Sequence, residues 1–406
     1  MTIPVSVVVV SSDRPDALFR CVLGLSQLQY TPFEIVVVAD SRGLAALKEF
    51  DGKIKTVLFE EANISAARNL GVGCAAGEII AFIDDDAVPE PSWLSYLAEP
   101  FEQPEVSVVG GFVIGRNGIS FQWKARLLDE SGFANDVVVD ETKPTVMKLK
   151  LGQAVKTEGT NMAIRRQALI EIGGFDPAYH FFLDETDLNI RLARNGFITA
   201  IAPMAQVHHG FAKSSRRRVD RVPSDLFDIG ASWAVFQRKF IEKSNRNAHW
   251  KKVVAGEKKR LIRHLMSGGL EPRSVRLLMV SLFNGYEAGK IRTVSAPIDL
   301  GVLTADFQQY PSEKRKSVLI SFRSIFARKG HLMAERLRNE GQIVTLLILS
   351  PTAFFHQVKF SAEGYWQQTG GIFGKSRRDH SLLKFWRRPQ RVNFEYERVK
   401  KLRSLL

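Results

Sequence analysis

The sequence predicts an α/β protein whose doubly wound, mostly parallel sheet is flanked by helices, and three observations carry that expectation. Strand-like and helix-like patterns alternate through the N-terminal half, which is how successive βαβ units read. The run Ile79-Ile80-Ala81-Phe82-Ile83 is apolar without alternation, as in a strand covered on both faces. It leads directly into Asp84-Asp85-Asp86, and the carboxyl end of such a strand is where open α/β sheets bind ligands.

Taken in order, residues 5–10 read as a first strand and 15–28 as a helix, with Asp13 as its cap and Pro15 in its first turn. Residues 34–39 and 54–59 are further strands. A helix over 64–75, closed by Gly77, leads into the strand that ends at the Asp triplet. Residues 93–101 read as a helix and 106–114 as a strand. From 115 to 156 the chain is polar and mixed without a clear period, and is expected to be a loop folding over a ligand. Helices follow at 165–172, stopped by Gly173-Gly174, and at 186–195, stopped by Gly196, before a strand at 197–202. The basic run Lys213, Arg216, Arg217, Arg218 and Arg221 marks a boundary. Beyond it lie helical patterns near 225–243, 249–266 and 272–288, then a strand, helix and strand at 318–321, 330–339 and 343–349.

The composition is that of a globular protein, with 45% hydrophobic and 25% charged residues. No apolar run approaches the roughly 20 residues that cross a bilayer. Residues 3–10 are short and lack a basic leader, so they read as a strand rather than a signal peptide. Cys21 and Cys74 have neither pairing nor metal-ligand spacing, which points to a reduced, cytoplasmic setting. The net charge of +14 hides an asymmetry. Residues 1–210 hold 18 Lys and Arg against 27 Asp and Glu, whereas residues 211–406 hold 39 against 16. The basic half should meet something anionic: nucleic acid, lipid headgroups or a phosphorylated substrate.

The acidic half carries the chemistry. Side chains two apart on a strand point the same way, so Asp84 and Asp86 project together. Two convergent carboxylates suit a hard divalent cation, and such a cation commonly holds a diphosphate. A solvated acidic turn before Pro89-Glu90-Pro91 is the competing reading of the triplet alone.

The triplet does not stand alone. Upstream stands Asn63-Ile64-Ser65-Ala66-Ala67-Arg68-Asn69-Leu70-Gly71. Downstream stand Gly159-Thr160-Asn161, Gly173-Gly174-Phe175-Asp176, Leu183-Asp184-Glu185-Thr186-Asp187, and finally Pro203 followed by His208-His209. In this order and spacing the set resembles the family 2 glycosyltransferases, inverting nucleotide-sugar-dependent enzymes of the GT-A fold. The likeness covers roughly residues 3–240, and the remainder shows no such match apart from a Gly285/Gly289 pattern.

The resemblance implies roles. Asp86 and His209 would hold the metal, Mn2+ or Mg2+, which stabilises the departing nucleoside diphosphate. Asp84 would meet the ribose or the metal, and Asp85, the variable middle position, is grouped with the nucleotide contacts. Glu185, where many relatives carry Asp, would be the base that takes the acceptor proton, with Asp184 beside it. Locally the same pair also reads as acidic residues favouring a helix N-terminus. Asp187 would support the site and pair with Arg191 four residues on. Ser11 and Asp40, at strand carboxyl ends, would contact the nucleotide. Here the chain departs from the family pattern, with Ala39 where an acid is usual and Asp13 where an aromatic residue or Asn is expected. Arg68 would bind phosphate or form a structural ion pair, and Asn69 would bind the nucleotide or its own helix. Asn161 and His208 are the donor or acceptor contacts.

The expected protein is therefore a metal-dependent inverting glycosyltransferase of polysaccharide biosynthesis, cytoplasmic and peripheral at the inner face of a membrane. It would use a nucleotide-sugar donor and a glycan or lipid-linked acceptor, and nucleic acid is disfavoured as a partner. Its expected divisions are a GT-A catalytic domain over 1–222, a basic helical region over 223–310 and a βαβ-containing extension over 311–406. The basic run at 213–221 reads either as a diphosphate clamp or lipid contact, or as a solvated hinge. Residues 225–240, mixing Trp233, Phe236, Arg238 and Lys239, read either as a membrane-surface helix or as one packed on the core. The alternative to an enzyme is an inactive GT-A-like module that binds polyanions or membranes through the basic half.

Overall fold

The computed structural model describes residues 2–405 except 211, 295–299, 301–304, 378 and 383. Those positions in the expected 223–310 and 311–406 segments lie outside the described residues. The chain opens with β1 (Val5–Ser11), α1 (Pro15–Leu25), β2 (Phe33–Ala39), α2 (Ser41–Ala45), β3 (Lys55–Leu58), α3 (Ile64–Cys74) and β4 (Ile79–Asp84). Next come β5 (Ala87–Pro89), α4 (Trp93–Ala98) and β6 (Val106–Ile114). Short strands follow: β7 (Phe121–Trp123), β8 (Arg126–Leu128), β9 (Ala134–Asp136), β10 (Thr145–Val146) and β11 (Ala154–Val155). Then come β12 (Met162–Arg165), α5 (Arg166–Glu171), α6 (Asp184–Arg194) and β13 (Ile198–His209). The rest comprises α7 (Phe227–Phe240), α8 (Arg246–Met266), α9 (Pro272–Ile291), β14 (Ser317–Arg323), α10 (Ala327–Asn339), β15 (Ile343–Ser350), β16 (Gln357–Phe360), β17 (Trp366–Gly371) and α11 (Arg388–Lys400).

Among the described residues the main sheet runs β10-β13-β6-β12-β4-β1-β2-β3, with β5 on β13 and β7 on β6. The long pairings, β3-β2-β1-β4 and β6 with β13, are parallel. The antiparallel ones, made by β12, β5, β7 and β10, are short. This is the mixed, mostly parallel α/β fold the alternation predicts. Val7 and Val9 enter one core cluster with Leu18 and Val22 of α1, while Val8 and Val10 enter another with Ala67 and Val72 of α3. Side-chain alternation along a strand covered on both faces produces that division.

Several expectations need correction. Residues 115–156 are not an irregular loop: β8, β9 and β11 make a small antiparallel sheet, and β7 and β10 join the main one. Strands of two or three residues are too short to show a period. β12, at four residues, is also too short to show one. Gly77 does not close α3, which ends at Ala75 in an extended conformation. Its backbone instead lies so near β1 that a Cβ would sit 2.6 Å from the Ser6 nitrogen. Asp13 is not the cap of α1; it adopts φ 57° and donates its backbone N–H to Asp40.

The helical region packs on the body through α7, whose Trp233 and Phe236 are buried, so its aromatic face is core rather than a membrane surface. The Gly285/Gly289 pattern has a steric cause. A Cβ on Gly285 would lie 1.9 Å from the Phe227 carbonyl oxygen, and one on Gly289 2.2 Å from that of Ala231. The C-terminal strands form their own sheet, ordered β14-β15-β17-β16 among the described residues. The expected βαβ unit is its β14, α10 and β15; β16, β17 and α11 extend it. Trp366 and Ile343 join the main core cluster, so this sheet is fastened to the body by buried apolar contact.

Candidate active site

Strand β4 delivers Asp84 at its end, and the chain turns through Asp85 and Asp86 into β5. Strand β5 pairs antiparallel with the end of β13, so that Ala87 faces His209. The Gly210 N–H donates to the Asp86 carbonyl at 2.7 Å and closes this junction. Residues more than 120 positions apart in sequence are thereby brought together: His209 Nε2 lies 3.1 Å from Asp86 Oδ1. Asp84, Asp86 and His209 can each offer one ligand atom, all within 4.8 Å of one another.

The donor set fits a divalent cation, two carboxylates and an imidazole being suited to Mn2+-like or Mg2+-like ions. The surroundings support the fit, because Gln122 Oε1 lies 3.2 Å from His209 Nδ1 and can fix the tautomer that leaves Nε2 toward Asp86. Burial alone would raise the Asp86 carboxyl, but His209, Arg14 and the Ala212 N–H at 2.7 Å hold it well below the usual carboxylate range. Burial raises Asp84, with Arg68 and His209 opposing.

Asp85 turns inward. It accepts from Ser11 Oγ at 2.6 Å and meets Arg14 Nη2 at 2.8 Å, and its complete burial pushes it up to about 7. Ser11 and Asp85 thus bind each other at the carboxyl ends of β1 and β4. Asp40 caps α2 by accepting from the Gly43 N–H at 2.7 Å.

A second acidic group faces the first across Arg68. This fully buried guanidinium touches Asp184, reaches Asp84 at 3.3 Å and lies 3.8 Å from Glu185. The sequence offers Arg68 a phosphate or a structural ion pair; in the fold it pairs with acids and ties the two carboxylate groups together. Ahead of α6, Phe182 and Leu183 both adopt left-handed backbone, φ 68° and 64°. Each such residue costs about 1–3 kcal/mol, and together they set the direction in which Asp184 and Glu185 enter the site.

Glu185 accepts from the Gly159 N–H at 3.3 Å and lies 3.6 Å from Lys156 Nζ. Burial would raise it, but Lys156 and then Arg68 outweigh burial and hold it at about 2. Asp184 moves the other way, up to about 7, through burial and the Glu185 charge. Lys156 and Arg68 thus favour the ionised form of Glu185. Asp187 pairs with Arg191 at 2.7 Å, as the i+4 spacing predicts, and also with Lys239 of α7.

Not every expected residue reaches this group of side chains. Asn161 is buried with its amide fully engaged: Nδ2 donates to the Phe112 and Ala205 carbonyls, and Oδ1 accepts from Trp93 Nε1. Asn69 exchanges hydrogen bonds with the Phe175 backbone, at 2.7 and 2.9 Å. His208 alternates to the face opposite His209. There it bonds Glu90 at 2.8 Å and packs at a tilt against Trp366 of the C-terminal sheet, with ring centroids 4.8 Å apart. In the basic run, Arg216 pairs with Asp228 and Arg218 with Asp220, both at 2.6 Å. Arg14, Gln122 and Lys156 were missed. Arg14 sits in a turn with no charge pattern, and the other two lie in the stretch whose short strands leave no period.

Residues 6–173 match the family model described as Glycosyl transferase family 2. The chain is 27% identical over 253 residues to the O-antigen biosynthesis protein RfbC of Myxococcus xanthus, a match covering 57% of this chain and 19% of that protein. It is 28% identical over 200 residues to the glucosyl-dolichyl phosphate glucuronosyltransferase of Haloferax volcanii, covering 43% and 56%. The chain therefore spans well under two thirds of the length of these relatives. A solved structure of GalNAc-T7 with UDP, GalNAc and Mn2+ is similar at a TM-score of 0.45 and 16% identity, over 58% of this chain and 48% of that one.

Proposed function

Since residues 6–173 match the model for Glycosyl transferase family 2, we propose that the chain moves a sugar from a nucleotide diphosphate donor to a hydroxyl of a glycan or lipid-linked acceptor, with inversion, in polysaccharide biosynthesis. The catalytic domain in this reading spans 1–222, with the basic helical region over 223–310 and the extension over 311–406. The observation that carries it is the meeting of Asp84, Asp86 and His209 with Asp184 and Glu185 across Arg68.

Asp86 and His209, with Asp84, would hold a divalent cation, Mn2+ or Mg2+. When bound, that ion supplies Lewis-acid stabilisation of the leaving diphosphate. Glu185 would take the proton of the attacking hydroxyl; Lys156 and Arg68 keep it ionised in the free protein and lower its proton affinity, so their hold on it must relax as the acceptor binds. Arg68 holds the two acidic groups at a fixed separation and offsets their charge. Ser11, Asp85 and Asp40 line the strand ends where the nucleotide would lie, their contacts in the free protein being with Arg14, with each other and with α2.

Work at the inner face of a membrane, in the cytoplasm, is consistent with a relative named for a dolichyl phosphate substrate. Among the described residues no helix is long and apolar enough to cross a membrane. A panel of sugar nucleotides, scanned for thermal stabilisation with and without Mn2+, tests the reading. At least one donor should stabilise the protein only with the metal, and Asp86→Ala should remove that effect. Metal-independent stabilisation by every donor, or by none, would count against it. An inactive polyanion-binding module would instead show salt-sensitive binding to nucleic acid or vesicles and leave every sugar nucleotide intact.

A further inference from the structure

The C-terminal sheet has an edge unlike the rest of the surface. Strands β14, β15 and β17 run parallel, so the segments leaving their carboxyl ends emerge on one side. Each segment carries exposed apolar side chains: Ile325 and Phe326 after β14, Phe354 and Phe355 after β15, Leu382 and Phe385 beyond β17. Ile325 is 76% exposed, Phe354 71% and Phe385 91%.

The three segments meet. Ser324, Phe354 and Phe355 line one cavity of about 590 Å3. Gly374 lies so close to the second segment that a Cβ would stand 1.8 Å from the Phe354 carbonyl oxygen. The Phe373 and Phe385 rings are 6.1 Å apart, and the Lys384 N–H donates to the Phe373 carbonyl at 3.2 Å.

Charge is interleaved with the apolar groups and has one sign. Arg323, Arg328, Lys329, Lys384 and Arg387 are exposed here. Across residues 317–334, 341–362 and 364–394 the sequence holds one carboxylate, Asp379, which pairs with Arg377 at 3.0 Å. Exposed aromatic rings among these cations match the interface of an anionic bilayer, where rings enter the headgroup boundary and guanidinium and ammonium groups meet phosphate.

We propose that this edge docks the protein on an anionic lipid bilayer. The inference deepens the reading of a membrane-side enzyme by naming the surface, and it moves that surface away from α7 and the basic run. The test is cosedimentation with phosphatidylglycerol-containing vesicles and with pure phosphatidylcholine vesicles, without any sugar nucleotide. A failure here therefore leaves the transfer reading untouched, and the reverse. Binding should require the anionic lipid and weaken with salt. Replacing Phe354, Phe355 and Phe385 by Ser should reduce partitioning by roughly tenfold or more, with the melting temperature kept. The separate pair Arg328→Glu and Lys329→Glu should also weaken it roughly tenfold or more, which guards against a fold defect in the first variant. Equal binding to both vesicles, or unchanged binding in both variants, overturns the proposal. So does a loss confined to Leu277→Ser with Phe283→Ser on α9, or a dimer in solution that the phenylalanine variant abolishes.

Discussion

Asn161 shows how a side chain can stand in the right motif and serve the fold instead. Its amide ties the Phe112 and Ala205 carbonyls to the Trp93 indole, joining β6, the irregular middle of β13 and α4. Asn161→Leu would strand three buried polar groups, each worth about 1–3 kcal/mol. The expected outcome is a drop in melting temperature of many degrees, with the KM for donor in any residual folded enzyme unchanged; a raised KM at full stability would return Asn161 to the donor site. The same distinction separates the two histidines. Adjacent residues on a strand face opposite ways, so only one of His208 and His209 could reach Asp86, and the family resemblance selects His209 by its spacing from Pro203. The candidate metal-binding trio of Asp84, Asp86 and His209 was legible because its members belong to separate motifs. Lys156 was not, since its role appears only when β11 brings it beside Glu185.

Long strands and helices declared themselves through their periods, as β6 does from Val106 to Ile114 and α9 does over Pro272–Ile291. Short antiparallel pieces did not, yet β5, three residues long, is the element that pairs Ala87 with His209 and so builds the candidate metal site. Register with a distant strand, rather than composition, defines such a piece. The α7–α9 crossing was half visible, since the glycine spacing and both helical patterns stood out while their pairing did not. Gly285→Ala would place a methyl 1.9 Å from the Phe227 carbonyl oxygen, which the helices can relieve only by separating. Overpacking of this kind typically costs about 1–3 kcal/mol. Chemical denaturation should show that loss, with no change in metal affinity. A neutral substitution would mean the helices do not approach this closely.

Across the whole molecule, the C-terminal sheet is anchored to the strand pair that carries the candidate metal ligands. Arg403 makes a bidentate, buried pair with Glu90 at 2.8 and 2.9 Å, and Glu90 also bonds His208. Nothing in the sequence joined positions 90 and 403, because no local pattern reports a contact between distant segments. Burial would raise Glu90, but Arg403 outweighs it and brings the carboxyl down to about 2. A depressed carboxyl stabilises the fold above its unfolded value and loses that contribution as pH falls toward its folded one. The melting temperature should therefore fall between about pH 4.5 and pH 2, by a contribution on the order of 3 kcal/mol. Arg403→Met should lose about 3–5 kcal/mol at neutral pH by leaving Glu90 charged and unpaired, and adding Glu90→Gln should restore part of it. If the double variant is no better than the single, the pair is not the anchor. The reading as a whole turns on acidic and imidazole groups from distant segments acting around one cation beside a carboxylate base. Calorimetric titration of nucleoside diphosphates, with and without Mn2+, into the wild type, Asp86→Ala and Glu185→Gln tests this most directly. Metal-dependent binding that Asp86→Ala abolishes and Glu185→Gln retains, with transfer lost in both, is the predicted result. Nucleotide binding that ignores both the metal and Asp86 would contradict it.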